Sequence, residues 1–386
     1  MSRLYSIPLA LCAVTAGAQS VRKDAPPETG AFVVQLGTDT IAVERWTRAG
    51  ARVEGDVFNR GPPPRVTHYV VTLDGAGRPQ RAEFATRAPD GSPIPNVALS
   101  AALTFRADSA RWEVRRADTT LTGAAPAPAG TVPSIPNSYA MYEIAMRAIR
   151  VAGQREGAIS LYAPSARAAQ PLEVTLTSAE SGQYDYFGDP AMVTFDRQGR
   201  VLAIDGTRTT TKVLVRRHPA VDVRAIASAF AARPAMGQPS PRDTVRAAAG
   251  GADLLIDYGR PSVRGRTVWG GTLVPFDAVW RTGANGATQL RTSRDLEIGG
   301  VAVPAGTYTL WTWASSRGYQ LVINKQTGQW GTEYSQAQDL AGVPLAEAPL
   351  AQPVEQFTFR IVPPANGGTI RMQWADKELS VPFAVR

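Results

Sequence analysis

The chain has 386 residues, a formal net charge of +8, one cysteine and two histidines. That length suits two domains. A lone cysteine makes no internal disulfide, and two histidines without HExxH, CxxC or CxxH spacing exclude a His/Cys zinc site. The 35 glycines and 30 prolines favour turn-dense β structure over helical bundles. Basic charge is almost all arginine, with lysine only at Lys23, Lys212, Lys325 and Lys377, and it is scattered along the chain. A nucleic-acid partner needs a basic patch or stripe, so none is expected.

Residues 1–18 carry Arg3, an apolar run over 4–14 and the small residues Ala16-Gly17-Ala18, the order of a secretory signal. Leu11 before Cys12 does not suit a lipoprotein site, so cleavage is expected after Ala18. The product is then exported, to the periplasm or beyond, without cysteine. The apolar run is shorter than the ~20 residues of a bilayer span, and no transmembrane segment is expected.

Residues 19–30 read as a linker and 31–232 as a β-rich N-terminal domain, an antiparallel meander with two amphipathic helices. Its strands alternate from Phe32, Val34 and Leu36 onward, and the string VT[LF]DxxGR occurs at 71–78 and again at 193–200. Each copy pairs a strand with an Asp that accepts turn amides and a Gly suited to φ > 0. Asn137 or Ser138 is expected to cap a helix bearing Met141, Ile144, Ala145, Ala148 and Ile149 on one stripe. Asp222 is expected to cap a second, with Val223, Ile226, Ala227 and Phe230. By pattern alone, a meander with two such helices resembles the open half-barrels of exported lipid or lipoprotein carriers. That implies an apolar cavity under the 138–150 helix.

Residues 233–251, rich in Pro and Ala, read as an interdomain linker. Residues 252–386 hold six of the eight tryptophans and about nine short period-two strands, including a hairpin at Gly299-Gly300. A β-sandwich or jelly-roll-like domain is expected.

Four strings stand in order there: Tyr258 to Arg266 (YGRPSVRGR), Leu273 to Asn285 (LVPFDAVWRTGAN), Pro304 to Tyr308 (PAGTY) and Asn324 to Gly331 (NKQTGQWG). Together they resemble the bacterial family of domain of unknown function 2911. The resemblance implies an exported β-rich domain and brings no activity, substrate or cofactor. Members usually read GANEAT, whereas Gly286 stands here in place of the acid.

On chemical grounds, Arg260, Arg264, Arg266 and Arg281 offer planar donor forks for carboxylates. Asn285, Asn324, Trp330 and Tyr334 supply hydrogen-bonding partners and ring faces suited to sugars. A non-catalytic ligand-binding or envelope-associated role is expected, a glycan or small carboxylate being the ligand these residues would suit, with no cofactor and no metal. The reading that these residues only brace turns and core outweighs the ligand site, since tryptophans in a small sandwich are mostly core. Catalysis by Ser-His or Cys-His has no parts after residue 252, where neither His nor Cys occurs. A glycan hydrolase would need two facing carboxylates among Asp257, Glu333 and Asp339.

Overall fold

The computed structural model describes residues 26–186, 189–233, 237–362 and 366–386. The expected signal segment with Cys12, and most of the 19–30 linker, lie outside the described residues. Among the described residues the protein is mainly β, with two α-helices and two sheets, of fifteen and ten strands.

In the first sheet, β1 (Glu28–Leu36), β2 (Asp39–Ala49), β3 (Arg52–Asn59), β4 (Arg65–Leu73), β5 (Pro79–Arg87), β6 (Ser100–Phe105), β7 (Ser109–Arg115) and β8 (Thr120–Pro126) follow one another as antiparallel neighbours. Then β9 (Val132–Pro133) leads into α1 (Ala140–Val151). β10 (Glu156–Tyr162), β11 (Gln170–Leu176), β12 (Ser181–Tyr186), β13 (Asp189–Phe195), β14 (Val201–Asp205) and β15 (Val213–His218) continue. The meander is stitched in its middle, where β1 pairs antiparallel with β15 from Ala31↔His218 to Leu36↔Val213. Its two edges, β8 and β9, are consecutive in the chain. Only residues 127–131 join them, a reach of about 20 Å at most, so the sheet curls until its edges approach.

Glycines opposite aromatic residues accommodate that curl. Gly30 faces Trp46 and Gly55 faces Tyr69 across neighbouring strands. A Cβ on Gly55 would lie 2.5 Å from the Tyr69 hydroxyl, so the ring occupies the space that a side chain would take.

Helix α1 sits in the concavity. Met141, Ile144, Met146 and Ile149 join one core with Phe32, Trp46, Tyr69, Leu103 and Phe195. The open apolar cavity implied by the carrier resemblance is filled by these side chains, leaving about 220 Å³ at one end of the helix. Neither Asn137 nor Ser138 is the cap, since Tyr139 occupies that position without a side-chain cap bond. Instead the buried Glu44 carboxylate of β2 accepts from the Tyr139 and Ala140 amides at 2.6 and 3.2 Å. It also accepts from the hydroxyls of Ser138 and Tyr69. Burial pushes the Glu44 carboxyl up despite these four bonds. Along the helix, buried Glu143 accepts from the Val201 amide and pairs with Arg147 and Arg217. Helix α2 (Val223–Ala231) does start at Asp222, whose carboxylate accepts from the Ala225 amide at 2.9 Å. It covers the other face of the sheet over Ala31, Val43 and Phe58.

The two copies of VT[LF]DxxGR are the same turn. Asp74 accepts from the amides of Ala76 and Arg78 and from the Arg78 guanidinium; Asp196 does so from Gln198, Arg200 and the Arg200 guanidinium. Gly77 and Gly199 take φ of 78° and 76°.

The second sheet comprises β16 (Arg242–Ala249), β17 (Ala252–Gly259), β18 (Ala278–Trp280), β19 (Thr288–Thr292), β20 (Leu296–Ile298), β21 (Val301–Val303), β22 (Gly306–Ser315), β23 (Gly318–Asn324), β24 (Asp339–Val362) and β25 (Gly367–Val385). β16 falls inside the 233–251 stretch read as linker. It pairs along its whole length with β17 through the Gly250-Gly251 turn, and its Ala-rich end carries too little alternation to announce a strand. The run expected as short strands includes two long ones, of 24 and 19 residues. β24 pairs first with β23 and then with β25, which goes on to β20. This doubling encloses Leu254, Ile256, Leu290, Leu310, Phe357, Met372 and Trp374 in one core.

Candidate functional site between the two sheets

Three of the four strings meet at one end of the second sheet, and close backbone packing makes them do so. A Cβ on Gly259 would lie 2.1 Å from the Ala284 carbonyl oxygen, so only glycine lets the segments at 259 and 284 touch. The Gly331 amide donates to the Asn285 carbonyl at 3.0 Å, and the Ala287 amide to the Gln329 carbonyl at 3.2 Å. A Cβ on Gly331 would lie 2.3 Å from Cδ of Arg281, so that side chain lies directly on the glycine.

Thr282 and Asn285 hold positive φ, 50° and 62°. For a β-branched residue this is strained backbone that its surroundings must enforce. The enforcement is visible: the Thr282 hydroxyl is 2.9 Å from that of Thr312, and its carbonyl accepts from Thr288 Oγ1 at 2.7 Å.

Between this end and the first sheet lies a cavity of about 420 Å³. From the second sheet come Arg266, Arg281, Asn285 and Trp330, over a floor of Trp280 and Trp374. These two buried indoles stack at 5.5 Å and 16°. From the first sheet come Leu36, Thr210, Thr211 and Lys212. Lys212, with φ of 57°, donates to the Thr272 carbonyl at 2.6 Å, a direct bond across the cleft. Arg266, Arg281 and Lys212 are the charged residues in the lining, and no carboxylate is among them. Trp330 is 50% exposed.

Arg266 is held by carbonyls alone: Nε donates to Val263 at 3.0 Å and Nη2 to Ser262 at 2.6 Å. Among the described residues no carboxylate forms an ion pair with it. Burial and then the charge of Arg264 lower its pKa, against the pull of Glu355 and Asp39. The guanidinium remains charged.

The other expected site residues lie elsewhere. Arg260 pairs with Asp243 at 3.1 Å and donates to the Phe357 carbonyl and Thr358 hydroxyl, fastening β17 to β24. Arg264 pairs with Asp39 in the first sheet, while its carbonyl accepts from the Thr38 amide. Its role is a clasp between sheets. Asn324 is fully buried, donating to the Ser335 carbonyl and Asp339 and accepting from the Gln326 amide. Tyr334 donates to the same Asp339 at 2.6 Å; burial and that bond push its phenol up. These two organise the 324–339 loop from behind.

The carboxylates considered for hydrolysis are dispersed. Asp257 is gripped by both arms of Arg242 at 2.9 and 3.0 Å, Asp339 serves the loop, and neither these nor Glu333 line the cavity. His68 stands between Asp56 and Glu54 on the first sheet, far from these strings in sequence, and is absent from the lining. Among the described residues no group of three or more His, Cys, Asp or Glu is placed to hold a metal ion. Nor is any helix long and apolar enough to cross a membrane. The sequence offered no sign of Thr211 or Leu36 as site residues, because their part in the site exists only once the sheets are together. The one available hint was Lys212 itself, a lysine in an arginine-dominated chain.

No curated protein matches the chain. Among solved structures, it is similar to a DUF1089 family protein from Pseudomonas aeruginosa at 16% identity, covering 44% of this chain and 91% of that one with a TM-score of 0.33. The binding domain of botulinum neurotoxin serotype C1 aligns at 6% identity over 92% of this chain and 74% of that one, with a TM-score of 0.10. Neither likeness bears on fold or function at such scores. Residues 240–383, which contain Arg266, Arg281, Asn285 and Trp330, match the family DUF2911, protein of unknown function.

Proposed function

We propose that the cavity binds, without catalysing a reaction on it, a small carboxylate or an acidic sugar, and that it does so in an exported protein. The observation that carries this reading is Arg266, a guanidinium in the lining that is held by carbonyls and forms no ion pair among the described residues, in a lining with a half-exposed indole. Arginine forks recognise carboxylates through paired N–H bonds, and an exposed ring face stacks on the apolar face of a sugar. Strained backbone at Thr282 supports the same reading, since such strain gathers where geometry serves a ligand. In this view β16 and residues 252–386 form a doubled, sandwich-like binding unit, and the first sheet supplies the far wall.

Calorimetric titration of the mature full chain with glucuronate and with glucose tests the proposal. Glucuronate is expected to bind, with affinity falling as salt rises, and glucose to bind far more weakly. Arg266→Gln is expected to weaken glucuronate by about tenfold, the scale of one charged hydrogen bond. Equal binding of the two sugars, or an Arg266→Gln variant with unchanged affinity, would overturn it. So would the absence of binding by glucuronate and by small dicarboxylates alike.

A further inference from the structure

The two sheets are cored separately. Among the described residues, each apolar cluster lies wholly within 31–230 or wholly within 245–385. The bonds that cross from one sheet to the other are polar, and they start from neighbouring strand ends, since Leu36 of β1 pairs with Val213 of β15. Just past Leu36, the Thr38 amide donates to the Arg264 carbonyl at 3.1 Å and Asp39 pairs with the Arg264 guanidinium. Just before Val213, the Lys212 ammonium donates to the Thr272 carbonyl at 2.6 Å. Arg264 and Thr272 both belong to the 260–277 connection between β17 and β18. Units joined by small polar contacts rather than by a shared core move relative to one another by default.

The first of these contacts has the form of a bearing. Gly37 and Gly265 take φ of 63° and 68°. A Cβ on Gly37 would lie 2.1 Å from the Arg264 carbonyl oxygen, and one on Gly265 would lie 2.7 Å from Cγ2 of Thr38. Two turns thus touch backbone to backbone, a narrow contact on which one sheet can turn against the other without repacking a core. The cavity starts directly beside it, because Leu36 and Arg266, the chain neighbours of the two glycines, both line it. Thr210, Thr211 and Lys212 continue the first sheet's wall, while Arg281 and Trp330 come from other loops of the second sheet. A turn about the bearing therefore changes the width of the cavity.

We propose that the protein is a clamp: a ligand carboxylate held at Arg266 draws the 210–212 turn onto the ligand, and the two walls close over it. This inference rests on the carboxylate reading above and adds how the site takes its ligand up. The closed form touches the ligand from both walls and the open form from one, and that difference in affinity is what shifts the pair towards closure.

The test measures a distance across the cavity. The chain from residue 19 onward contains no cysteine, so Arg208→Cys and Thr327→Cys can carry a pair of spin labels without further change. Both positions are exposed and lie within three residues of the lining residues Thr210 and Trp330. Saturating glucuronate is expected to shorten the distance read by pulsed electron resonance by about 2 Å or more and to narrow its distribution, and glucose to leave both unchanged. Lys212→Gln, which removes the bond to Thr272, is expected to broaden the distribution without ligand. If calorimetry shows glucuronate bound while the distances stay as they were, or if Lys212→Gln leaves the ligand-free distribution as narrow as before, the clamp is refuted and the carboxylate reading stands. Succinate replaces glucuronate if it alone binds, with the same expectation. If neither binds, both readings fall.

Discussion

Asp74 and Asp196 show how much one carboxylate secures in a turn. Burial raises their pKa, but the turn amides and the arginine four residues on outweigh it, so both sit below the ordinary 3.8. A depressed folded pKa means that the native state releases the proton more readily than the unfolded chain. The stabilisation is thus complete above 3.8 and is lost as pH falls through the folded value. Asp196→Ala is expected to cost about 1–2 kcal/mol at pH 7 in urea denaturation, and much less near pH 2; a cost that does not shrink with acid would contradict the assignment. Glu44 presents the opposite case. Its raised pKa makes stability decline as pH climbs from 4.5 through the folded value. Yet its removal leaves two amides and two hydroxyls without an acceptor, so Glu44→Ala should lose about 2–4 kcal/mol at pH 7. Urea denaturation showing a loss below 1 kcal/mol would mean that α1 is held by packing alone. The turn aspartates and the Asp222 cap were legible in the sequence because each partner lies within four residues. Glu44 was not, since its amide partners are 95 and 96 residues away.

At the scale of elements, alternation revealed most strands and the apolar stripe revealed both helices. Two kinds of element escaped. β16 ends in Ala247-Ala248-Ala249, which shows no contrast between faces. β24 and β25 were read in pieces because their pairing shifts at bulges between Pro349 and Thr358, which interrupt the period of two. The glycine–aromatic pairs belong to this scale as well. Gly55→Ala would place its Cβ 2.7 Å from the Arg45 carbonyl as well as against Tyr69, and is expected to cost about 2 kcal/mol or more. Gly61→Ala, with nothing within 4 Å, should stay within about 0.5 kcal/mol. Comparable costs for the two in thermal or urea unfolding would show that the rings give way easily.

Across the whole molecule, half of the eight expected site residues reach the cavity and the others brace it. The strings announced the second sheet's share because their glycines and turn residues are local necessities. The first sheet's share was invisible, since nothing in a chain marks which turn will face another sheet. Arg264 joins the two through Asp39, beside the direct bond from Lys212 to Thr272. Arg264→Ala is expected to loosen the pair, raising the radius of gyration in small-angle scattering by about 1–2 Å and weakening glucuronate by about threefold. An unchanged scattering profile would leave the remaining contacts as sufficient.

The seam between β1 and β15 turns the first sheet into a cyclic order read from an interior starting point. Begun at β9, the strands would run β9 to β15 and then β1 to β8, each pairing with the next along the chain. As the chain is ordered, residues 31–36 must wait for 213–218 before their second neighbour exists. That one pairing carries most of the sheet's sequence separation, and loop closure of this kind governs folding rate more than final stability. A permuted first sheet, its old ends linked and new ones placed at 127–131, would keep its contacts but exchange its slowest encounter for a local one. Natural synthesis instead leaves β1 with an unpaired edge until β15 has emerged, an interval in which the incomplete sheet offers that edge to any other strand.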